Sequence, residues 1–155
     1  MQPWSPLTRV IAGTSLLAAL SFSISMDASA QDTHTGTINA VRGNVIIERG
    51  PSRMSAQVGF EVAELDRIVT ASASAAAITF RDGTAITVGP NSAVNLTSFK
   101  FESNKQDDSM VIGLLKGSMR FITGLLGKRN PEKVHISTTT ATIGIRGTDF
   151  ILEAQ

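Results

Sequence analysis

The sequence predicts an all-β fold, with many short strands arranged as a sandwich or as a short β-solenoid. Short runs of β-prone residues recur along the chain, and breaks rich in glycine, proline, asparagine and aspartate separate them. The sequence pattern shows no long helical crossovers between these runs and no internal repeat of fixed period. Such spacing is typical of small all-β domains, and the missing repeat argues against a regular solenoid.

Residues 1–30 have the pattern of a cleavable signal peptide. Arg9 precedes an uncharged apolar stretch, Val10–Ser25, and the small residues Ala28 and Ala30 suit the recognition pockets of signal peptidase. We therefore expect cleavage after Ala30 and a periplasmic or secreted protein. An uncleaved membrane anchor is the alternative, but the stretch is shorter than the ~20 apolar residues that a spanning helix needs.

The predicted mature chain, residues 31–155, is one domain of balanced charge. The full chain carries 14 Lys and Arg residues against 13 Asp and Glu residues, and its formal net charge is +1. The signal peptide removes one residue of each sign, so the balance persists. This balance gives no electrostatic reason to expect binding to nucleic acid or stable membrane insertion after cleavage. The absence of cysteine excludes disulfides and a lipid-anchored cysteine.

The first half of this domain contains several short strand signals. Two β-prone runs, Gly36–Val41 and Asn44–Arg49, are followed by a break, by an ambiguous stretch over residues 58–65 and by Arg67–Thr70. The Ala- and Ser-rich residues 71–77 have helical propensity but are too few to form a stable helix alone.

The best local signal is a β-hairpin over Ala77–Val88. Asp82 and Gly83 lie between two β-prone runs, and Asp-Gly supplies the positive φ angles of a type I′ turn. A second turn contains Pro90 and Ser92.

Beyond these turns, the apolar alternation changes phase and one long segment is ambiguous. Phe99 and Phe101 are out of phase with Val94–Thr97, which predicts a bulge near Thr97–Ser98. Met110–Leu126 fits either strands broken at glycines or a short amphipathic helix. The final strand signals are Val134–Thr140 and Thr142–Glu153.

Two motifs, in the order in which they follow along the chain, resemble motifs of the FecR domain. Phe80–Ser92 is similar to a family signature in which a strand ends in Asp-Gly-Ser/Thr and continues to Pro-x-Ser, and Thr142–Phe150 is similar to a strand carrying Val-Arg-Gly-Thr-x-Phe. Val41–Val45 and Leu65–Thr70 lie where that family has Gly-x-Val and Gly-Asp-x-Val-x-Thr segments. The resemblance extends over Gly36–Leu152. Its motif residues, which we expect to be mainly structural, are Asp82, Gly83, Pro90, Ser92, Gly144, Arg146, Gly147, Thr148 and Phe150.

The resemblance implies an extracytoplasmic binding function. The best-known members of the family relay iron-chelate signals by contacting the signalling domain of an outer-membrane transporter, and a cytoplasmic segment of theirs controls a sigma factor. This sequence lacks that cytoplasmic segment, so the sigma-factor role is not carried over. The family domain usually continues with another Gly-x-Val strand, whereas this sequence ends at Gln155; a minimal version and a truncated chain are both open.

Candidate sites are few, and none suggests an enzyme. Arg146 has two interpretations, as an anchor for a carboxylate of a partner or as a structural bridge at a glycine bend. His34 and His135 are far apart in sequence and have no neighbouring ligand cluster, so we expect no metal site. Gly127–Lys133 is predicted to be a loop, and for its basic part, Lys128–Lys133, we expect solvation and keep contact with an anionic surface as the alternative. No catalytic or cofactor-binding residue is predicted.

Two functions therefore remain. The first is a non-catalytic module that recognises another cell-envelope protein in signal sensing or regulation. The second is a structural envelope protein that self-assembles through β-strand edges.

Overall fold

The computed structural model describes residues 34–102, 107–145 and 147–155. The predicted signal peptide and its cleavage site lie outside these residues, as does Arg146. The described chain is predominantly β, which confirms the all-β prediction. Its elements, in chain order, are β1 (His34–Arg42), β2 (Val45–Arg49), β3 (Ser52–Ser55), β4 (Glu61–Ala63), β5 (Arg67–Thr70), β6 (Ala75–Phe80), β7 (Ala85–Val88), β8 (Ala93–Lys100), β9 (Ser109–Ile122), α1 (Leu125–Arg129), a 3-10 turn (Pro131–Lys133), β10 (Val134–Thr138), β11 (Thr142–Gly144) and β12 (Asp149–Ala154).

The strands form one continuous, curled sheet. Its main path runs β3-β2-β5-β8-β9-β7-β6-β1-β4, and every pairing along this path is antiparallel. Strands β10 and β12 branch from β9, in parallel and antiparallel pairing respectively, and β11 pairs with β10. The choice between a sandwich and a short solenoid stays a prediction. No helix within the described residues is long and apolar enough to cross a membrane.

Strand β9 organises this sheet because its two halves pair with different neighbours. The half up to Lys116 pairs with β8 and β10, and the half from Gly117 to Ile122 pairs with β7 and β12. Gly117 has a φ of +83°, a conformation that favours glycine, and marks the boundary between the halves. The strand interpretation of Met110–Leu126 is therefore correct as far as Ile122, and α1 begins only at Leu125.

The hairpin over Ala77–Val88 is confirmed, but its turn type is not. Gly83 has a φ of +81°, and Asp82 does not have a positive φ. The Gly83 amide donates to the Phe80 carbonyl at 2.9 Å, and the Phe80 amide donates to the Thr84 carbonyl at 2.8 Å. This is the pattern of a three-residue loop, in which a type I turn is followed by a left-handed glycine that forms a bulge. A type I′ turn would need positive φ at both central residues.

Other local predictions were partly correct. The register of β8 and β9 shifts between Leu96 and Ser98, where the bulge was predicted. The predicted last strand is instead two strands, because Thr142–Gly144 pairs with β10 and Asp149–Ala154 pairs with β9. The helical propensity of residues 71–77 was misleading, since β6 begins at Ala75 and pairs on both sides.

The core fills the inside of the curl with aliphatic and aromatic side chains. Alternate residues of most strands are buried, as a sheet with one packed face requires. Removing these side chains from water supplies the main favourable free energy of folding, and no disulfide supplements it. The largest fully buried side chains are Phe121, Ile38, Ile47, Ile68, Ile78, Ile86, Leu96, Met110, Ile112, Leu114, Met119 and Leu126.

An ion pair between a half-exposed arginine and a buried aspartate connects β2 to the turn between β4 and β5. Asp66 is fully buried, and Arg49 of β2 binds both of its carboxylate oxygens at 2.7 Å. Arg49 also donates to the Glu61 carbonyl of β4 at 3.0 Å and lies over the ring of Phe60. The hydrogen bond to Asp66 raises the pKa of Arg49 above its usual range. Because the pair is bidentate and Asp66 also accepts the Ala63 amide, the cost of burying the carboxylate is largely offset.

Candidate functional site

The Asp-Gly-Thr motif contacts the segment that joins β9 to α1. Asp82 is 1% exposed, and its carboxylate accepts hydrogen bonds from the Thr84 amide at 3.0 Å, the Thr84 hydroxyl at 2.7 Å and the Leu126 amide at 3.2 Å. Its backbone carbonyl accepts the Leu125 amide at 2.8 Å. Asp82 thus does more than form a turn, because it also anchors the start of α1.

Gly124 allows this contact to be close. Its amide donates to the Thr84 hydroxyl at 3.0 Å. A Cβ at position 124 would lie 2.6 Å from the Asp82 carbonyl oxygen and 2.7 Å from the Gly83 carbonyl carbon. These distances are shorter than real Cβ contacts, so the hairpin turn and the β9–α1 junction can approach each other only at a glycine.

The Arg-Gly-Thr motif contacts the same junction from the other side. The Thr123 amide donates to the Thr148 carbonyl at 2.9 Å, and the Thr123 hydroxyl donates to the Gly147 carbonyl at 2.8 Å. Thr123 is buried, whereas Gly147 and Thr148 are exposed. Two motifs that are distant in sequence therefore converge on residues 123–126.

An open pocket of about 380 Å³ lies at this convergence. We call it the junction pocket, and its described lining residues are Thr123, Gly127, Lys128, Pro131, Ile145, Gly147 and Thr148. Ile145 is 4% exposed and contributes a buried aliphatic wall. A Cβ at Gly127 would lie 2.6 Å from Thr123 Cγ2 and 2.7 Å from Ile145 Cδ1, so the wall is closely packed at this glycine.

The rim of the junction pocket is basic. Lys128 lines it, Arg129 follows at the end of α1, and Glu132 and Lys133 lie in the adjoining 3-10 turn. Lys128 and Lys133 are exposed, and within the described parts of the chain neither forms an ion pair. The segment predicted as a loop therefore consists of the end of α1 and the 3-10 turn; its charged residues are exposed, as expected, and Lys128 borders a pocket.

The strand that follows the Arg-Gly-Thr motif is tied to β9 by two side-chain pairs. The carboxylate of Asp149 binds the guanidinium of Arg120 at 2.9 and 2.5 Å, and this hydrogen-bonded pair lowers the pKa of Asp149. Phe150 stacks on Phe121 with ring centroids 5.3 Å apart. Asp149 was not among the predicted motif residues, although its opposite charge to Arg120 was visible in the sequence.

The Pro90–Ser92 motif lies at a different place, the bend of β9. The Ser92 hydroxyl accepts the Ser118 amide at 2.9 Å, and its single proton lies between the carbonyls of Pro90 and Ser118, whose oxygens are 3.0 and 3.2 Å from the hydroxyl oxygen. Its amide donates to the Thr70 hydroxyl at 2.9 Å. Ser92 is fully buried, so this motif stabilises the fold.

Gly144 also lies outside the pocket lining. It ends β11 opposite His135, and a Cβ there would meet nothing within 4 Å. Arg146 lies outside the described residues, and its two interpretations stay predictions.

A second pocket, of about 390 Å³, is less suited to binding a partner. It borders Leu65 and Leu96 on the outer side of the sheet. Its charged side chains already have partners, because Arg67 donates to Asn95 at 2.9 Å and lies 3.8 Å from Glu48. Among the described residues there is no group of three potential metal ligands at either place.

Comparison of the sequence with known protein families gives one match. The model of the family described as FecR protein matches residues 66–155, which include the hairpin turn, the bend of β9 and the junction pocket. No curated protein and no solved structure gave a match.

Proposed function

This chain belongs to the FecR protein family, and from that premise we propose that it is a non-catalytic, extracytoplasmic module that binds another cell-envelope protein. The family is one of signalling and regulatory proteins, which supports a regulatory role. The signal-peptide pattern of residues 1–30 supports export.

The observation that carries this proposal is the convergence of two family motifs on the β9–α1 junction, where the second motif also lines an open pocket. Asp82 and Thr84 fix one side of the β9–α1 junction, and Gly147 and Thr148 border the other. The polar groups that build the junction are hydrogen-bonded to one another, so they hold the pocket in shape. An open pocket with an aliphatic wall on a rigid frame suits recognition of a partner.

Co-purification with a pocket-filling variant tests the proposal. Thr148 is exposed, and its hydrogen bond to Thr123 uses its backbone carbonyl, so Thr148→Phe should fold and obstruct the pocket. Thr87→Phe is the matched control, on an exposed position of β7. We expect the unmodified protein and the control to recover one defined envelope protein and Thr148→Phe to lose it. Equal recovery by all three would place the binding surface elsewhere, and no specific recovery would contradict a binding module.

Self-assembly is the second candidate function, and the edge of β12 favours it. Within the described residues β12 pairs only with β9, and Ile151 on this strand is 67% exposed. An exposed edge with an apolar side chain can pair with a second copy. Sedimentation velocity should then show concentration-dependent oligomers that Ile151→Lys abolishes. A monomer at all concentrations would contradict this candidate.

A further inference from the structure

We propose that the junction pocket takes an aliphatic side chain from an extended segment of the partner protein, and that Lys128 binds an acidic residue next to it. This inference rests on the proposed binding function and names the chemistry of the partner. The residues that would contact the partner are the seven that line the pocket.

The polar groups of Thr123 in the pocket do not need hydrogen bonds from a ligand. The Thr123 hydroxyl and amide are already hydrogen-bonded to the Gly147 and Thr148 carbonyls. Carbon atoms of Ile145, Pro131 and Thr123 supply apolar surface for contact, beside the exposed Lys128 and Thr148. An aliphatic side chain placed here gains from leaving water and leaves no buried polar group without a partner.

The positive charge at the rim of the junction pocket favours an acidic residue next to the aliphatic side chain of the partner. Lys128 is an exposed cation without an ion pair in the described residues, and Lys133 in the adjoining 3-10 turn has the same property. Residues 124–133 hold three basic side chains and one acidic one. An aspartate or glutamate beside the aliphatic anchor would be attracted to this rim, whereas a basic residue would be repelled.

The surroundings favour an extended protein segment over a compact small molecule. The pocket is open to solvent beside the exposed Gly147 and Thr148, and β12 begins directly afterwards at Asp149. Since β12 has one neighbouring strand in the described structure, an extended chain has space to continue past the pocket. A single side chain in an open pocket binds weakly alone, so the flanking acidic contact and the continuing chain are needed for useful affinity.

Three short peptides test this inference directly. The probe is Ser-Glu-Leu-Asp-Ser with blocked ends; Ser-Gln-Leu-Asn-Ser removes its charges, and Ser-Glu-Asn-Asp-Ser removes its aliphatic anchor. Each is titrated into the isotope-labelled protein purified from the envelope, and backbone amide signals are followed. We expect the first peptide to shift the signals of Gly127, Ile145, Gly147 and Thr148, the second to bind about tenfold more weakly, and the third not to shift them.

Matched variants assign the effect to the pocket. Thr148→Phe should abolish the shifts, and Lys128→Glu should reverse the preference between the charged and uncharged peptides. Thr87→Phe and Lys100→Glu, at exposed positions of β7 and β8, should behave as the unmodified protein does. Equal binding of all three peptides, shifts confined to another surface, or no binding of any peptide would overturn the inference.

The two levels of proposal fail in different ways. If Thr148→Phe loses the envelope partner but the peptides show no preference, the binding function stands and the stated chemistry is wrong. If the peptides bind as expected but no envelope protein is recovered, the pocket chemistry stands and the proposed function fails.

Discussion

Single residues carry much of the specificity of this fold, and Asp82 is the clearest case. Its carboxylate satisfies amides both in its own turn and at Leu126, which is 44 positions away in sequence. Buried donors that lose their acceptor keep the full cost of leaving water. The turn itself was predictable from Asp-Gly, but the contact with Leu126 was not, because only the tertiary fold brings α1 to the hairpin.

Replacing Asp82 should therefore destabilise the protein more than the loss of a turn would. We expect Asp82→Ala to lower the free energy of unfolding by about 2–4 kcal/mol, because several buried donors lose their acceptor. Urea denaturation followed by far-UV circular dichroism measures it. Asp107→Ala, at an exposed turn position, is the control and should change little. A similar small change for both would mean that Asp82 has only a local role.

Leu65 is a second residue with an unusual conformation. Its φ is +66°, and its side chain is 77% exposed. A left-handed conformation costs a leucine about 1 kcal/mol or more, because its Cβ comes too close to the following carbonyl oxygen. Leu65→Gly should thus raise the urea midpoint, with a gain of up to about 1 kcal/mol. Val58→Gly, at an exposed loop position without positive φ, should lower it. An equal loss of stability in both variants would contradict the conclusion that the backbone of Leu65 is strained.

At the scale of elements, β9 unites the two parts of the sheet. The sequence showed glycines at 113 and 117 and allowed a break at either one. The structure keeps Gly113 inside the strand and places the change of partners at Gly117, because Ser92 packs against that glycine. Composition could not distinguish the two glycines, since the difference arises from a turn that lies far away in sequence.

These two glycines give a matched comparison within one strand. Gly117→Ala combines a positive φ with a Cβ that would be 2.6 Å from the Ser92 Cα, and we expect a loss of about 2 kcal/mol or more. At Gly113 the nearest atom to a new Cβ would be Ser137 Oγ at 3.4 Å, and alanine should cost little there. Thermal or urea unfolding of both variants measures the difference. A larger loss at Gly113 would contradict the assigned bend.

The pairing of β12 with β9 should depend on acid pH. Arg120 lowers the pKa of Asp149, so the contribution of this pair is present above the unfolded-state pKa of the carboxyl and is lost as pH falls through the folded-state value. Asp149→Asn should therefore reduce stability at about pH 7 and matter progressively less below about pH 4. Urea midpoints of both proteins across this range measure it. A difference that persists unchanged to about pH 2 would contradict the role of the ion pair.

For the whole molecule, local sequence signals identified the fold class, the hairpin, the bulge in β8 and most strands. They did not reveal how the sheet curls, because this depends on pairing between strands that are distant in sequence. The sequence identified the motif residues but not the place in the fold where they come together. Thr123 and Gly127, which also line the junction pocket, have no distinctive local pattern, and only the fold brings them to Gly147 and Thr148.

The central claim is that the FecR motifs build a partner-binding pocket at the β9–α1 junction. In-cell photo-crosslinking tests it most directly, with benzoylphenylalanine placed at position 148 on the pocket or at position 87 on the exposed face of β7. The photoreactive group crosslinks only to atoms within its reach. An adduct therefore shows that the partner contacts the position at which the group was placed. We expect one discrete adduct with another envelope protein from position 148 and none from position 87. Adducts of equal yield from both positions, or none from position 148, would contradict the claim.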